Sequence, residues 1–230
     1  MSARPVPPVP APGLVIFDCD GVLVDSEPIS MRVLTESINA AGVAMTVEQV
    51  HAAFVGGSLE RVEREIAGRR GAPLPDGWID EIYHARARAF ERGLEPVPGA
   101  RDAVEAVRGL GWETCVASQG RPAKMEQTLG LTGLSDLFPP ARIFSATMVA
   151  RPKPAPDLFL HAARACGWEP RDCVVVEDSL FGIRGARAAG MRVLGYLAPG
   201  APEDDALPLA AAGAEVVRSM RDVAARVAAA

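Results

Sequence analysis

Six short apolar runs recur along this chain, and stretches with helical periodicity separate most of them. The runs are continuously apolar and do not alternate with polar residues, which is typical of strands that are buried on both faces of a sheet. They lie at residues 14–18, 114–118, 142–146, 173–178, 191–196 and 215–217. Strand followed by helix, repeated in this way, predicts an α/β fold with a doubly wound, Rossmann-like parallel sheet.

The alternation breaks once, in the segment 28–96, which has helical periodicity and no convincing strand. This break predicts an all-helical cap domain inserted into a core domain that comprises residues 13–27 and 97–230. The segments DSEP at residues 25–28 and PVPG at residues 96–99, with their proline and glycine residues, indicate hinges at the two ends of the insert. Residues 1–12 contain five prolines and lack the apolar segment of a secretory signal, so we expect them to form a disordered tail.

Composition and charge exclude several classes of partner. No apolar run reaches the roughly 18 residues that a membrane span needs. The net charge of -5 disfavours binding to nucleic acid or to an anionic membrane. The four cysteines include no C-x-x-C pair, so buried free thiols are a better interpretation than zinc ligands or disulfides. The sequence therefore predicts a cytoplasmic protein without nucleic-acid or membrane partners, and a monomer is the default expectation.

The carboxyl ends of the predicted strands carry residues suited to binding an ion or a phosphate. In doubly wound folds the ligand binds outside these ends. The residues at or after four of the strands are Asp18 with Asp20, Ser118, Lys153, and Glu177 with Asp178. The sequence therefore predicts one site that combines several carboxylates with a hydroxyl group and an ammonium group.

The clustering of carboxylates points to a bound cation. Carboxylates at close quarters repel one another, and their pKa values would be raised unless a cation shared the site. Mg²⁺ suits oxygen ligands such as Asp18 and Asp178, and it leaves positions open for phosphate oxygens. Lysine and serine bind that cation poorly, but they suit an anion that bridges to it. The set predicts Mg²⁺ as cofactor and a small phosphorylated metabolite as ligand.

The first strand end also offers a nucleophile and an acid–base group. A carboxylate held by a metal and a lysine beside a phosphoryl group can attack phosphorus and form an aspartyl phosphate, and we assign this role to Asp18. Asp20 lies two residues on and points to the same side of an extended chain, where it can protonate the leaving oxygen and then deprotonate water. Gly21 lets the chain turn just past the site.

These motifs, in this order, resemble those of the haloacid dehalogenase superfamily of phosphotransferases. The first motif of that superfamily is Asp-x-Asp-Gly followed by Val or Thr, and residues 18–22 match it as DCDGV. The second motif matches Ser118, the third matches Lys153, and the fourth, an acidic pair, matches Glu177 and Asp178. The segment DGVLVDSEP and the helical insert behind it look like the branch that contains beta-phosphoglucomutases and sugar-phosphate phosphatases.

The resemblance implies two sets of binding residues. The implied Mg²⁺ ligands are the Asp18 carboxylate, the Asp20 main-chain carbonyl and Asp178, with Glu177 helping directly or through water. The implied phosphate-binding groups are Ser118, the Gln119 backbone and Lys153.

The function that the resemblance implies is a Mg²⁺-dependent phosphatase of small phosphorylated metabolites, such as sugar or polyol phosphates, that acts through an aspartyl phosphate. A phosphohexomutase of the beta-phosphoglucomutase type is the alternative. Those mutases carry a histidine where this chain has Ser30, and a lysine and an arginine where it has Val55 and Leu59, which favours the phosphatase. A phospho-accepting signalling domain is a remote alternative, because such domains are shorter and lack the helical insert.

Three further features have less specific interpretations. The turn Gly56-Gly57-Ser58 in the insert is compatible with a plain turn between helices and with a loop that contacts substrate. Lys124 is one of only two lysines in a chain with 22 arginines, but it falls in a helical pattern after Pro122, so we expect a solvated side chain. Ser179 is expected to cap the helix that follows it.

Overall fold

Six strands form one parallel sheet in the computed structural model, which describes residues 13–54 and 57–229. The strands are β1 Leu14–Phe17, β2 Glu113–Ser118, β3 Ile143–Ser145, β4 Cys173–Glu177, β5 Arg192–Tyr196 and β6 Glu215–Val217. Their order across the sheet is β3-β2-β1-β4-β5-β6, and every neighbouring pair is parallel. The doubly wound sheet and its predicted strands are therefore confirmed, each strand end to within one residue. The predicted tail, residues 1–12, lies outside the described residues.

Helices cover the sheet and fill the insert between β1 and β2. The insert contains α1 Glu27–Ala40, α2 Val47–Phe54, α3 Leu59–Arg70 and α4 Trp78–Phe90. The rest of the chain contains α5 Ala100–Gly109, α6 Pro122–Leu131, α7 Asp157–Cys166, α8 Leu180–Ala188, α9 Ala206–Ala211 and α10 Val223–Ala228. The helical cap on an α/β core is thus confirmed, whereas the domain boundaries stay predictions. Within the described ranges, no helix has the length and apolarity needed to cross a membrane.

The side chains of the central strand β1 alternate between two hydrophobic clusters. Val15 and Phe17 pack in one cluster with α5, α6 and α10, whereas Leu14 and Ile16 pack in another with α7, α8 and α9. All four side chains are fully buried. Because successive side chains of a strand point to opposite faces, a continuously apolar strand requires helices on both faces of the sheet.

The helices of the insert bury a hydrophobic cluster of their own. Its buried members are Leu34, Ile38, Val50, Phe54, Leu59, Val62, Ile66, Trp78 and Ile82. The Ser58 side chain caps α3 by accepting a hydrogen bond from the Arg61 backbone N–H at 3.3 Å. An insert with its own core can keep its structure when it moves relative to the sheet.

Two chain segments connect the insert to the sheet, and they run side by side. The Asp25 backbone N–H donates to the Glu95 carbonyl oxygen at 3.0 Å, and the Val97 N–H donates to the Leu23 carbonyl oxygen at 3.0 Å. An antiparallel bridge also pairs Val24 with Pro96. The entry to the insert and its exit therefore form one narrow connection next to the end of β1.

Candidate active site

The ends of β1, β2 and β4 meet at one edge of the sheet because the strand register aligns them. Phe17, the last residue of β1, lies beside Val116 of β2 and Val176 of β4. The Asp18 backbone N–H donates to the Val176 carbonyl oxygen at 2.9 Å, so Asp18 continues the line of β1. The predicted core residues that line one cavity at this edge are Asp18, Asp20, Ser118, Gln119, Lys153, Glu177 and Asp178.

The chain turns sharply after Asp18. The backbone N–H groups of Leu23 and Val24 both donate to the Cys19 carbonyl oxygen, at 2.9 and 3.0 Å. Gly21 has a φ of 78°, which favours glycine, and a Cβ atom at this position would overlap the Asp178 carboxylate. Gly21 therefore serves both the turn and the close approach of Asp178.

Lys153 joins two buried carboxylates. Its Nζ atom lies 2.6 Å from Oδ1 of Asp18 and 2.6 Å from Oε2 of Glu177. The exposed fractions of Lys153, Asp18 and Glu177 are 5%, 6% and 1%. The other Glu177 oxygen, Oε1, accepts hydrogen bonds from the Ser179 backbone N–H at 3.1 Å and from the Ser179 hydroxyl at 2.9 Å. Glu177 is thereby fixed, and it positions Lys153 against Asp18.

The Ser179 hydroxyl has a second partner, because it also accepts a hydrogen bond from the Gly182 backbone N–H at 3.0 Å. This contact caps α8 and confirms the predicted N-cap. A Cβ atom at Gly182 would overlap the Glu177 carboxylate, so the start of α8 can pack directly on that side chain.

The cluster holds more carboxylate charge than its lysine can balance. Burial raises the pKa of Asp18 to about 7, although Lys153 opposes the shift. Burial, Glu177 and Asp18 together raise the pKa of Asp178 well above its usual range. Asp18, Glu177 and Asp178 each offer an oxygen within 4.8 Å of the others' oxygens. This all-oxygen donor set fits a hard divalent cation.

Asp20 is paired with a lysine from the core. Both of its carboxylate oxygens lie 2.8 Å from the Lys124 Nζ atom, and the Ser26 hydroxyl donates to Oδ1. Burial acts to raise the pKa of Asp20, but Lys124 and Ser26 outweigh burial and the pKa is lowered. The expectation that Lys124 is solvated is therefore wrong. Lys124 lies in a helical pattern, and its partner Asp20 is 104 residues away in the sequence, so the local sequence does not reveal the pair. The one available signal was that lysine is rare in this chain.

The residues predicted to bind phosphate lie at the end of β2. Ser118 is 2% exposed, and its Oγ atom accepts a hydrogen bond from the Gly120 backbone N–H at 3.2 Å. The Ser145 hydroxyl donates to the Gly120 carbonyl oxygen at 2.7 Å, which ties this loop to β3. The phosphate-binding roles of Ser118 and Gln119 stay predictions.

The insert closes the cavity from the other side. The cavity has a volume of about 520 Å³, and the insert contributes Ser30, Met31, Leu34, Phe54, Gly57, Leu59, Val62 and Arg86 to its lining. Gly57 thus reaches the cavity, whereas Ser58 caps α3 and Gly56 lies outside the described residues. Sequence reasoning missed Arg86, because one arginine among many in a helix carries no local signal.

Comparison with known proteins places the chain among hydrolases. Residues 12–190 match the family described as haloacid dehalogenase-like hydrolase. The 6-phosphogluconate phosphatase of Escherichia coli is 33% identical over 185 residues, which cover 80% of this chain and 82% of that protein. Hexitol phosphatase B of Escherichia coli is 30% identical over 198 residues, which cover 85% of this chain and 88% of that protein.

A solved structure has the same architecture over nearly the whole chain. A haloacid dehalogenase-like protein of unknown function from Agrobacterium tumefaciens superposes with a TM-score of 0.80 and is 36% identical. The match covers 95% of this chain and 99% of that protein. The core and the helical insert are therefore shared together.

Proposed function

We propose that this chain, which belongs to the haloacid dehalogenase-like hydrolase family and is a phosphoric monoester hydrolase, is a Mg²⁺-dependent phosphatase of sugar or polyol phosphates. The observation that carries the proposal is the Lys153 bridge between Asp18 and Glu177, with Asp178 and Asp20 in the same cavity. The activities of the two Escherichia coli relatives support the substrate class. The predicted monomeric state and cytoplasmic location stay predictions.

The proposed reaction has two steps, and both use Asp18. In the first step the Asp18 carboxylate attacks phosphorus, the bond from phosphorus to the leaving oxygen breaks, and Asp20 gives that oxygen a proton. In the second step water attacks the phosphorus of the aspartyl phosphate, Asp20 takes a proton from the water, and the bond from phosphorus to the Asp18 oxygen breaks, which restores the Asp18 carboxylate and releases inorganic phosphate. Lys153 and Ser118 bind phosphoryl oxygens in both steps. The negative charge of a bound phosphate favours the protonated form of Asp20 that the first step needs.

Mg²⁺ would be held by the carboxylates of Asp18 and Asp178 and by the Asp20 main-chain carbonyl, where it would neutralise phosphate charge. Glu177 was expected to act on the ion directly or through water. Both of its oxygens already accept hydrogen bonds, from Lys153 and Ser179, which favours the indirect role. We further propose that residues 28–96 act as a cap, which the connection at Asp25 and Glu95 allows to open and close.

The first test is a panel of phosphorylated metabolites incubated with Mg²⁺, with EDTA added to matched wells. We expect phosphate release that EDTA abolishes and added Mg²⁺ restores. Wells with glucose 1-phosphate, primed with glucose 1,6-bisphosphate, are also assayed for glucose 6-phosphate. Formation of glucose 6-phosphate without free phosphate would replace the phosphatase with the mutase alternative.

The acidic cluster predicts how pH changes the stability of the metal-free protein. The pKa of Asp18 is raised from 3.8 to about 7, so between these values the folded state binds more protons than the unfolded state. The contribution of Asp18 to stability therefore falls as the pH rises through this window. The pKa of Asp178 is raised as well, so its contribution to stability also falls as the pH rises. We expect a lower Tm at about pH 8 than at about pH 5, measured by thermal unfolding in EDTA.

Mg²⁺ would occupy the place of those protons, so it should raise the Tm more at about pH 8 than at about pH 5. The variant Asp178→Asn removes one of the carboxylates and should show a smaller response to both pH and Mg²⁺. An equal Mg²⁺ effect at the two pH values, or an unchanged response in Asp178→Asn, would contradict the proposed metal site.

A further inference from the structure

Arg86 brings an unbalanced positive charge into the cavity. It lies on α4 of the insert, and it is the one cationic side chain that the insert contributes to the described lining. Its Nε atom is buried and has no hydrogen-bond partner among the described residues. A buried polar group without a partner destabilises a protein, and the loss is larger for a charged group. A partner from outside the chain would account for this arrangement.

The helix that carries Arg86 is docked on the core. The Gln127 side-chain amide of α6 donates to the Ala87 carbonyl oxygen of α4 at 3.2 Å. The Arg121 guanidinium lies over the Tyr83 ring, 4.3 Å from its centroid. These contacts lie on either side of Arg86 along α4, so the helix segment that carries Arg86 is held in place before any ligand binds.

Asp20, which lines the same cavity as Arg86, already has a cationic partner. Burial lowers the pKa of Arg86, and the charge of Asp20 is one of the effects that oppose this shift. Both Asp20 oxygens, however, lie 2.8 Å from Lys124. No described residue, Asp20 included, is a hydrogen-bond partner of the Arg86 Nε atom. The two cations therefore differ: Lys124 is paired with Asp20, whereas the Nε atom of Arg86 is available to a ligand.

We propose that Arg86 binds a carboxylate on the leaving group, so that the preferred substrate is a phosphorylated sugar acid and not a neutral polyol phosphate. This inference rests on the proposed function and narrows its substrate class. Asp20 is the proposed proton donor to the leaving oxygen, and Arg86 lines the same cavity from the insert, so Arg86 is the insert cation available to the leaving group. In the proposed mechanism the transferred phosphoryl group binds to Lys153 and Ser118 at the strand ends.

The chemistry of the lining favours a carboxylate over a second phosphate. A guanidinium can bind a carboxylate with two parallel hydrogen bonds, and the free Nε–H of Arg86 is one suitable donor. A phosphate dianion would require more positive charge than the insert supplies to the described lining. The other insert residues around the cavity include Met31, Leu34 and Phe54, whose apolar side chains strengthen a single ion pair by excluding water.

The test compares two substrates that differ at one carbon atom. In 6-phosphogluconate the first carbon is a carboxylate, and in sorbitol 6-phosphate it is a neutral CH2OH group. We expect the wild type to prefer 6-phosphogluconate in kcat/KM. Arg86→Met should lower kcat/KM for 6-phosphogluconate by about 10- to 100-fold, with a change below about threefold for sorbitol 6-phosphate. Arg86→Lys should recover part of the loss.

Arg88→Met is the matched control, because Arg88 lies on the same helix, is exposed and does not line the cavity. Arg88→Met should leave kcat/KM unchanged for both substrates. The inference would be overturned if Arg86→Met lowered kcat/KM equally for both substrates, or if the wild type had equal kcat/KM for both. Either result would leave the proposed function standing. A wild type that prefers a sugar bisphosphate to 6-phosphogluconate would overturn the carboxylate assignment. Absence of Mg²⁺-dependent hydrolysis of these substrates and of nitrophenyl phosphate would overturn the proposed function itself.

Discussion

Asp18→Asn should lower the rate of phosphate release by at least about 10³-fold while the protein stays folded. The amide of asparagine is a poor nucleophile toward phosphorus and cannot form the aspartyl phosphate that both steps share. The fold should tolerate the change, since Asp18 is buried and burial already disfavours its charge. The measurement is kcat on the best substrate of the panel, together with thermal unfolding of both proteins.

The matched control is Asp76→Asn, which removes a carboxylate from an exposed position in the insert and should retain full activity. A second measurement follows the covalent step. Wild-type protein quenched in acid during turnover should retain labelled phosphate that hydroxylamine releases, and Asp18→Asn should retain none. If Asp18→Asn keeps more than about a tenth of the wild-type activity, another group attacks phosphorus and the assignment fails.

The sheet was predictable because its strands obey a simple physical rule. Parallel strands that are covered on both faces must be apolar at every position, so each strand is visible as a short run in the sequence. The run at β1 illustrates this, since Leu14 and Val15 are both fully buried but pack in different clusters. The residues at the strand ends were predictable for a related reason. Parallel strands place their carboxyl ends at one edge, whatever the length of the chain between them.

The ion pairs inside the site were less accessible from the sequence. Lys153 was predicted to bind phosphate, but its pairing with Glu177 depends on how the chain after β3 returns to the end of β4. Lys124 and Arg86 have local sequences that are typical of solvated helix positions. Lys124 meets Asp20 only when the fold brings α6 next to the segment after β1, and Arg86 reaches the cavity only when α4 docks on α6. No local pattern encodes either contact. The residues at the strand ends were therefore predictable, whereas the surroundings of Lys124 on the core and of Arg86 on the insert were not.

Asp20→Asn should slow the reaction by about 10² to 10⁴-fold for alkyl phosphates and by much less for nitrophenyl phosphate. An alkoxide is a poor leaving group and needs a proton as the bond to phosphorus breaks, whereas nitrophenolate leaves without one. Asparagine keeps the size of the side chain and can still contact Ser26 and Lys124, but its amide protons are not acidic enough to be transferred to the leaving oxygen. The measurement is the ratio of kcat for a sugar phosphate to kcat for nitrophenyl phosphate. Similar losses with both substrates would remove Asp20 as the general acid.

A double-mutant comparison with Asp20→Asn shows whether Lys124 acts on the reaction through Asp20. Lys124 contacts both Asp20 oxygens, so Lys124→Met in the wild type should change the activity with alkyl phosphates. If Lys124 only positions and charges Asp20, then Lys124→Met in the Asp20→Asn background should have little further effect. Additive losses would instead mean that Lys124 contacts the substrate. The comparison thus distinguishes two roles for Lys124. In one it positions Asp20, and in the other it binds the substrate phosphate, as Lys153 is proposed to do.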